Sequence, residues 1–274
     1  MTQAPQTSVQ ANTKSDAPIL LTGVSQRIGF DCALALVKQG YPVIGSYRSE
    51  HKNAENLAQL NAAGVRLIQA DFASREGIEQ FIQRVLSEYD HLRAVIHNAS
   101  SWAKDEPDQS IASQFDLAQQ LLAVHTLAPY LMNLAFAPLL QEKFTESGSK
   151  PNAQPQQVAP SPLRDIIHIT DYVVQSGSDH HIAYAASKAA LENMTLSFAR
   201  RLAPSVKVNS IAPSLIMFND HDDAAYRQRA LAKSLLGIEP GAQVVIDTLT
   251  YILHNPYLTG QCIQLEGGRA IRQS

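Results

Sequence analysis

The chain has 274 residues, of which 45% are hydrophobic and 17% charged, with a formal net charge of −3. That length suits one large domain or two small ones, and the charge lends no support to a nucleic-acid surface or a polybasic membrane patch. Two cysteines, Cys32 and Cys262, lie far apart without partners at metal-ligand spacing, so they read as buried reduced thiols of a cytoplasmic protein with no metal site.

Residues 1–17 are polar and rich in Gln, Thr and Ser. They lack the apolar core of a secretory signal and read as a disordered tail. No stretch approaches the ~20 apolar residues of a membrane span. From residue 18 onward, short apolar runs alternate with helical patterns. The runs are 18–22 (PILLT), 42–47 (PVIGSY), 65–70 (VRLIQA), 92–97 (LRAVIH), 165–169 (DIIHI), 206–211 (VKVNSI) and 262–265 (CIQL). Helical patterns fall near 27–39, 51–63, 74–89, 110–141, 181–203, 222–235 and 241–254. Strands this short and this apolar are covered on both faces. The alternation therefore predicts an α/β fold, a seven-stranded parallel sheet with helices on both sides. Residues 146–162 break the rhythm with four prolines and almost no large apolar side chains, the composition of a mobile surface insertion. A single domain over 18–274, interrupted at about 146–162, is expected.

The segment Thr22-Gly23-Val24-Ser25-Gln26-Arg27-Ile28-Gly29 joins the first strand to the first helix. Unpaired N–H groups and the positive helix end attract a pyrophosphate there, and two glycines let chain and ligand approach closely. Two glycines alone are a weak signal, but their place at the head of a βα alternation points to a dinucleotide. Arg27 stands where the common motif has its middle glycine. At the end of the second strand, Tyr47-Arg48-Ser49-Glu50 offers a cation and a hydroxyl, which suits the 2′-phosphate of NADP better than the 2′-hydroxyl of NAD.

Tyr184 and Lys188 are four apart in IAYAASKAAL and share a helix face. A neighbouring ammonium favours the phenolate, which would bring the Tyr184 pKa toward the working range. The spacing alone would suit an ordinary amphipathic helix, but with the nucleotide turn upstream the pair reads as a proton-transfer site.

These residues resemble the short-chain dehydrogenase/reductase family over about residues 18–269, and its single-domain Rossmann fold is implied. His97-Asn98-Ala99-Ser100 resembles the family's NNAG element, and Asn209-Ser210-Ile211-Ala212-Pro213-Ser214 the segment beside the nicotinamide. The resemblance implies cofactor contacts from Gly23, Arg27, Ile28, Tyr47, Arg48, Ser49, Asp71, Phe72, Asn98, Ala99, Tyr184, Lys188, Pro213 and Ser214. Thirteen positions before Tyr184, where the family usually has serine, stands Asp171. Asp171, Arg27 in the glycine turn and Asn98-Ala99-Ser100-Ser101-Trp102 together resemble the pteridine reductase branch. That branch implies NADPH-dependent reduction of a 7,8-dihydropterin such as dihydromonapterin, with secondary reduction of dihydrofolate. Catalysis would fall to Asp171, Tyr184 and Lys188, and substrate binding to Arg27, Ser100, Trp102, Asp171 and Tyr184. The family also implies a homotetramer formed through the helices near 110–141 and 181–203. His125 occupies the place of the family's water-holding asparagine, with a structural role as its alternative. Trp102 as a core residue, His180 and His181 as exposed loop residues, and His221-Asp222-Asp223 as a helix cap are the plainer readings of those positions. A carbonyl reductase of the same fold and a nucleotide-binding regulator without turnover stay open beside the pterin reading.

Overall fold

The computed structural model describes residues 17–50, 53–141 and 163–272. The expected tail and the expected insertion at 146–162 lie outside these residues, apart from Ala17, which is buried. Seven parallel strands form one sheet in the order β3-β2-β1-β4-β5-β6-β7. They are β1 (Ile19–Leu21), β2 (Val43–Tyr47), β3 (Arg66–Gln69), β4 (Ala94–His97), β5 (Arg164–Ile169), β6 (Val206–Pro213) and β7 (Cys262–Leu265). The chain runs outward from β1 to β3, then returns and crosses to β4. The crevice at the strands' C-terminal ends between β1 and β4 is therefore the switch point where such sheets bind ligands.

Side-chain alternation along the strands builds two cores. Ile19, Leu21, Ala94, Ile96, Ile167 and Ile211 face α1 (Arg27–Lys38), α2 (Ala54–Ala62) and α9 (Gln243–His254). Leu20, Val95, Ile166, Val206 and Val208 face α3 (Arg75–Glu88), α5 (Ala128–Leu140) and α7 (Ile182–Leu202). The helical run Ile111–Leu140 comprises α4 (Ile111–Leu122), a π-helical turn (Ala123–Leu127) and α5. It corrects one expectation, because it is long and apolar enough to cross a membrane by length and composition. Half of its most apolar window is nevertheless buried inside the domain, and Met132, Phe136 and Leu140 are core residues. The remaining helices are α6 (Val173–Ser176) and α8 (Ala224–Leu231). Of the two cysteines, Cys32 is buried as expected, and burial pushes its thiol up to about 12. Cys262 is only partly buried.

Two buried polar clusters stitch the layers together. At the N-terminal edge of the strands, Asp165 is fully buried and paired with both Arg93 and Lys207. The two cations also donate to carbonyls at the end of α9, Arg93 to Leu253 and Lys207 to Ile252 and Asn255. They thus close the C-terminal end of that helix, where cations are favoured. At the other edge, His97 meets the Asn133 amide oxygen at 2.8 Å. The Asn133 amide nitrogen meets His168 at 3.1 Å, and His168 meets Thr195 at 2.8 Å. Burial lowers the His97 pKa to about 4 and holds His168 well below its usual value.

Asp165→Asn, which leaves two buried cations short of their counter-charge, is expected to lower the unfolding free energy by about 3–5 kcal/mol in denaturant melts. The neutral histidines make the fold acid-sensitive. Because they bind fewer protons folded than unfolded, their contribution is complete above pH ~6.5 and is lost as the pH falls toward the folded value. Each contributes a slope of up to about 1.4 kcal/mol per pH unit. Denaturant midpoints measured between pH 7 and pH 5 should fall steadily, and a midpoint flat over that range would refute the neutral assignment.

Candidate active site

The crevice is built by a clasp between the ends of β1 and β4. The Thr22 hydroxyl accepts from the backbone N–H groups of Asn98 and Ala99, each at 3.0 Å. In return, the Asn98 amide donates to the carbonyls of Thr22 at 3.1 Å and Gly23 at 3.0 Å. Gly23 has φ +73°, and a Cβ there would lie 2.7 Å from the Ala99 Cα. A Cβ on Gly29 would lie 2.0 Å from the Gly23 oxygen, so α1 meets the turn at backbone contact. No side chain caps the start of α1, and its first N–H groups face the turn. Arg27 has φ +52°, the one non-glycine left-handed residue among those described. That conformation explains why the usual motif has a glycine at this position. The Arg27 guanidinium reaches across the crevice to the Asn219 side-chain oxygen and, at 2.9 Å, to the Met217 carbonyl in the loop after β6.

Beyond β2, the Tyr47 hydroxyl donates to Glu50 at 2.9 Å, and Arg48 is exposed. Glu50 is thus engaged by its neighbour, ahead of α2. Asp71 accepts from Ala73 N–H beside buried Phe72 after β3.

The residues expected to carry chemistry do converge. Asp171 lies just past β5 and accepts from the Tyr184 hydroxyl at 2.8 Å, and its other oxygen accepts from Val173 N–H at 2.8 Å. Tyr184 and Lys188 are both buried on α7, and the Lys188 ammonium donates to the Ile169 carbonyl at 2.9 Å. The expected direction of the Tyr184 shift is reversed. Burial and the Asp171 carboxylate hold its pKa well above the usual value. The ammonium stands 5.8 Å from the ring centroid and does not offset them. Burial in turn lowers Lys188 to about 8, opposed by Asp171. Tyr184 is therefore a neutral phenol donating to a carboxylate, beside a lysine poised to lose its charge just above neutrality.

Trp102 is 68% exposed, which removes the core reading. His181 is only partly exposed, against the loop expectation. Its ring lies 4.3 Å from that of Trp102, and its Nδ1 donates to the Ala103 carbonyl at 2.7 Å. His180 is exposed as expected. Asp223 caps α8 by accepting from Tyr226 N–H at 2.7 Å, as the acidic run suggested. Ser214 accepts from Arg269 at 2.9 Å and so is held at the end of β6. Sequence reasoning missed Asp105, which caps α7 through Ile182 N–H and Ala183 N–H and so sets the start of the helix that carries Tyr184 and Lys188. It also missed Asn219, the partner of Arg27. An Asp followed much later by a helix gives no local spacing signal, since the cap closes across 77 residues. Among the described residues no group of three His, Cys, Asp or Glu side chains could hold a metal ion.

A family model described as enoyl-(acyl carrier protein) reductase matches residues 23–269. The dihydromonapterin reductase of Escherichia coli (strain K12) is 48% identical over 255 residues, covering 93% of this chain and 97% of that one. Its namesake from Enterobacter sp. (strain 638) is 48% identical over 254 residues with the same coverage. FolM alternative dihydrofolate reductase 1 from Brucella canis, solved in complex with NADP, has a TM-score of 0.77 and 24% identity, covering 94% of this chain and 96% of that one. An acetoin dehydrogenase from Enterobacter cloacae has a TM-score of 0.76 and 20% identity, covering 94% and 97% respectively. The last two are likenesses of fold.

Trp102 is the chain's single tryptophan, so its fluorescence reports the rim of the crevice alone. His181→Ala should remove the ring against it, shifting emission to longer wavelength while the melting temperature changes little. Identical spectra for the two proteins would show that the contact does not persist in solution.

Proposed function

Because the chain belongs to the short-chain dehydrogenase/reductase family, we propose that it is an NADPH-dependent reductase of 7,8-dihydropterins, acting on dihydromonapterin and more slowly on dihydrofolate. The observation that carries this reading is the Asp171 carboxylate hydrogen-bonded to Tyr184. A carboxylate beside the reacting atom repels a developing oxyanion, which disfavours a ketone, but it stabilises a protonated imine. Relatives named dihydromonapterin reductase, 48% identical over nearly the whole of both chains, support the same substrate class.

The residues present fit a dinucleotide phosphate. The Gly23–Ala99 contact, the Gly29 backbone approach and the start of α1, which no side chain caps, form a cradle that a Cβ at either glycine would fill. Gly23, Arg27 and Ile28 would face the pyrophosphate. Tyr47, Arg48 and Ser49 would face the ribose 2′-phosphate, and Asp71 and Phe72 the adenine. Asn98, Ala99, Pro213 and Ser214 would line the nicotinamide side. Bound NADPH supplies the hydride that reduces pterin C6.

The chain's own groups handle position and proton. Lys188, held by the Ile169 carbonyl, presents its ammonium to the cofactor ribose. Tyr184 keeps its proton at neutral pH because burial and Asp171 both hold it there. The Asp171–Tyr184 pair delivers that proton toward pterin N5, and the carboxylate stabilises positive charge at the same edge. Trp102 provides a stacking face for the flat ring, and Ser100 and Arg27 contact its polar edge. The protein acts in the cytoplasm as a homotetramer. Phe115, Leu122, Leu127 and Leu131 on 111–140 and Leu196 on α7, all exposed, lie on the faces that association would bury.

NADPH oxidation should proceed with dihydromonapterin and dihydrofolate and not with a panel of ketones, and turnover of ketones alone would sink the proposal. Tyr184→Phe should lower kcat by roughly 10²–10⁴-fold, the scale of lost acid–base catalysis. Lys188 carries its charge below about pH 8 and loses it above. The profile of kcat/KM should accordingly decline on the alkaline side from about pH 8, and one flat to pH ~10, near the ordinary lysine value, would show that the Lys188 charge plays no part in turnover.

A further inference from the structure

His125 lies in the π-helical turn, buried, where one turn of the helix is widened. Pro129 lacks the N–H that an α-helix would aim at the His125 carbonyl, which accounts for the break at this point. The side chain has partners at both ring nitrogens. Nε2 lies 3.1 Å from the Ser101 backbone nitrogen and 2.9 Å from the Ser100 hydroxyl. Nδ1 lies 2.8 Å from the Ser187 hydroxyl, and Ser187 in turn lies 2.7 Å from the Tyr184 carbonyl.

These contacts have one consistent assignment of protons. A backbone N–H only donates, so Nε2 bears a lone pair and the ring proton sits on Nδ1. Nδ1–H then donates to Ser187, whose own proton goes to the Tyr184 carbonyl, which only accepts. At the other end, the Ser100 hydroxyl can approach an unprotonated Nε2 only as a donor. Its proton therefore points at His125, sharing the Nε2 lone pair with Ser101 N–H, and its own lone pairs are turned away from the imidazole, on the exposed side where the Tyr184 side chain also lies.

We infer that His125 is a positioning residue that sets the polarity of Ser100, turning it into a hydrogen-bond acceptor toward the ligand and pinning the Ser100-Ser101-Trp102 loop to α7. The inference rests on the dihydropterin reading and deepens it. Asp171 and Ser100 then both present acceptors, so the site selects a ligand edge bearing N–H donors or positive charge. A pterin ring has such an edge, and a simple ketone does not. His125 donates no proton to the reaction. Its Nδ1–H is committed to Ser187, and burial together with Lys188 lowers its pKa to about 2, so the ring stays neutral.

The two ends of the imidazole can be kept one at a time. A glutamine places its amide oxygen near the Nε2 position and keeps the acceptor for Ser100 and Ser101. An asparagine places its amide near Nδ1 and keeps only the Ser187 end. His125→Gln should hold the dihydropterin KM within about threefold of the parent, whereas His125→Asn should raise it about tenfold, the scale of one hydrogen bond to substrate. Both should leave the KM for NADPH and the alkaline limb of the pH profile in place. In a Ser100→Ala background the His125→Asn effect on KM should shrink to the part carried by the Ser101–Trp102 loop, because the residue acts largely through that hydroxyl. Trp102 emission in the ligand-free protein gives a reading independent of substrate: it should shift in His125→Asn and stay put in Ser100→Ala, where Ser101 N–H is still held.

Equal KM values for the Gln and Asn variants, a loss in the Gln variant, additive effects with Ser100→Ala, or a moved pH limb would each overturn the inference. Should His125→Asn fail to fold, the Gln variant decides, since a tenfold rise in its KM contradicts the acceptor role. Absence of dihydropterin turnover in the parent protein would instead overturn the functional reading, with the Trp102 comparison still testing the clasp.

Discussion

The site depends on how the ends of β1 and β4 are joined. A parallel sheet whose strand order reverses leaves a gap at its switch point, and its backbone groups there need partners. Thr22 and Asn98 answer that need reciprocally, each through its side chain to the other's backbone. The clasp fixes Gly23 against Ala99, which fixes the turn into α1, and it starts the segment that runs through Ser100 to Trp102. Both halves of the crevice, the glycine turn into α1 and the Ser100–Trp102 segment, thus hang from four hydrogen bonds.

Around that clasp the proton inventory is tightly constrained. Three histidines lie behind the site, and all are buried and neutral. Their contacts are to neutral groups whose donor and acceptor roles interlock, so the region carries little net charge despite its many polar atoms. Of the titratable groups beside them, Tyr184 and Asp171 touch, while the Lys188 ammonium stands apart from the phenol ring. The carboxylate thus outweighs the ammonium in setting the phenol's state, because distance and direct hydrogen bonding decide such contests in a buried site.

Much of this is legible in the chain. Short apolar runs separated by helical patterns foretell seven parallel strands, since strands covered on both faces show no polar alternation. Tyr184 and Lys188 are legible because four residues make a helical turn, and Asp171 because it sits a set distance ahead of them at a strand end. What cannot be read is relative distance. The direction of the Tyr184 shift turns on which of two charged neighbours comes closer, and spacing along a helix does not say. The partners of Arg27 and the cap from Asp105 close over long sequence separations, and the stack of His181 on Trp102 joins two loops. The run from Ile111 to Leu140 eludes a search for an unbroken apolar stretch because polar residues such as Gln119, Gln120 and His125 interrupt it, although the helical pattern over it is legible.

Arg27 holds a backbone conformation that costs an ordinary residue roughly 1 kcal/mol and a glycine almost nothing. Selection for rigidity alone would replace it. An arginine there carries a strained turn together with a reach across the crevice to Met217 and Asn219. A glycine in its place would relax the turn and give up that reach, so heat resistance and the bridge between α1 and the loop after β6 pull in opposite directions at this one residue.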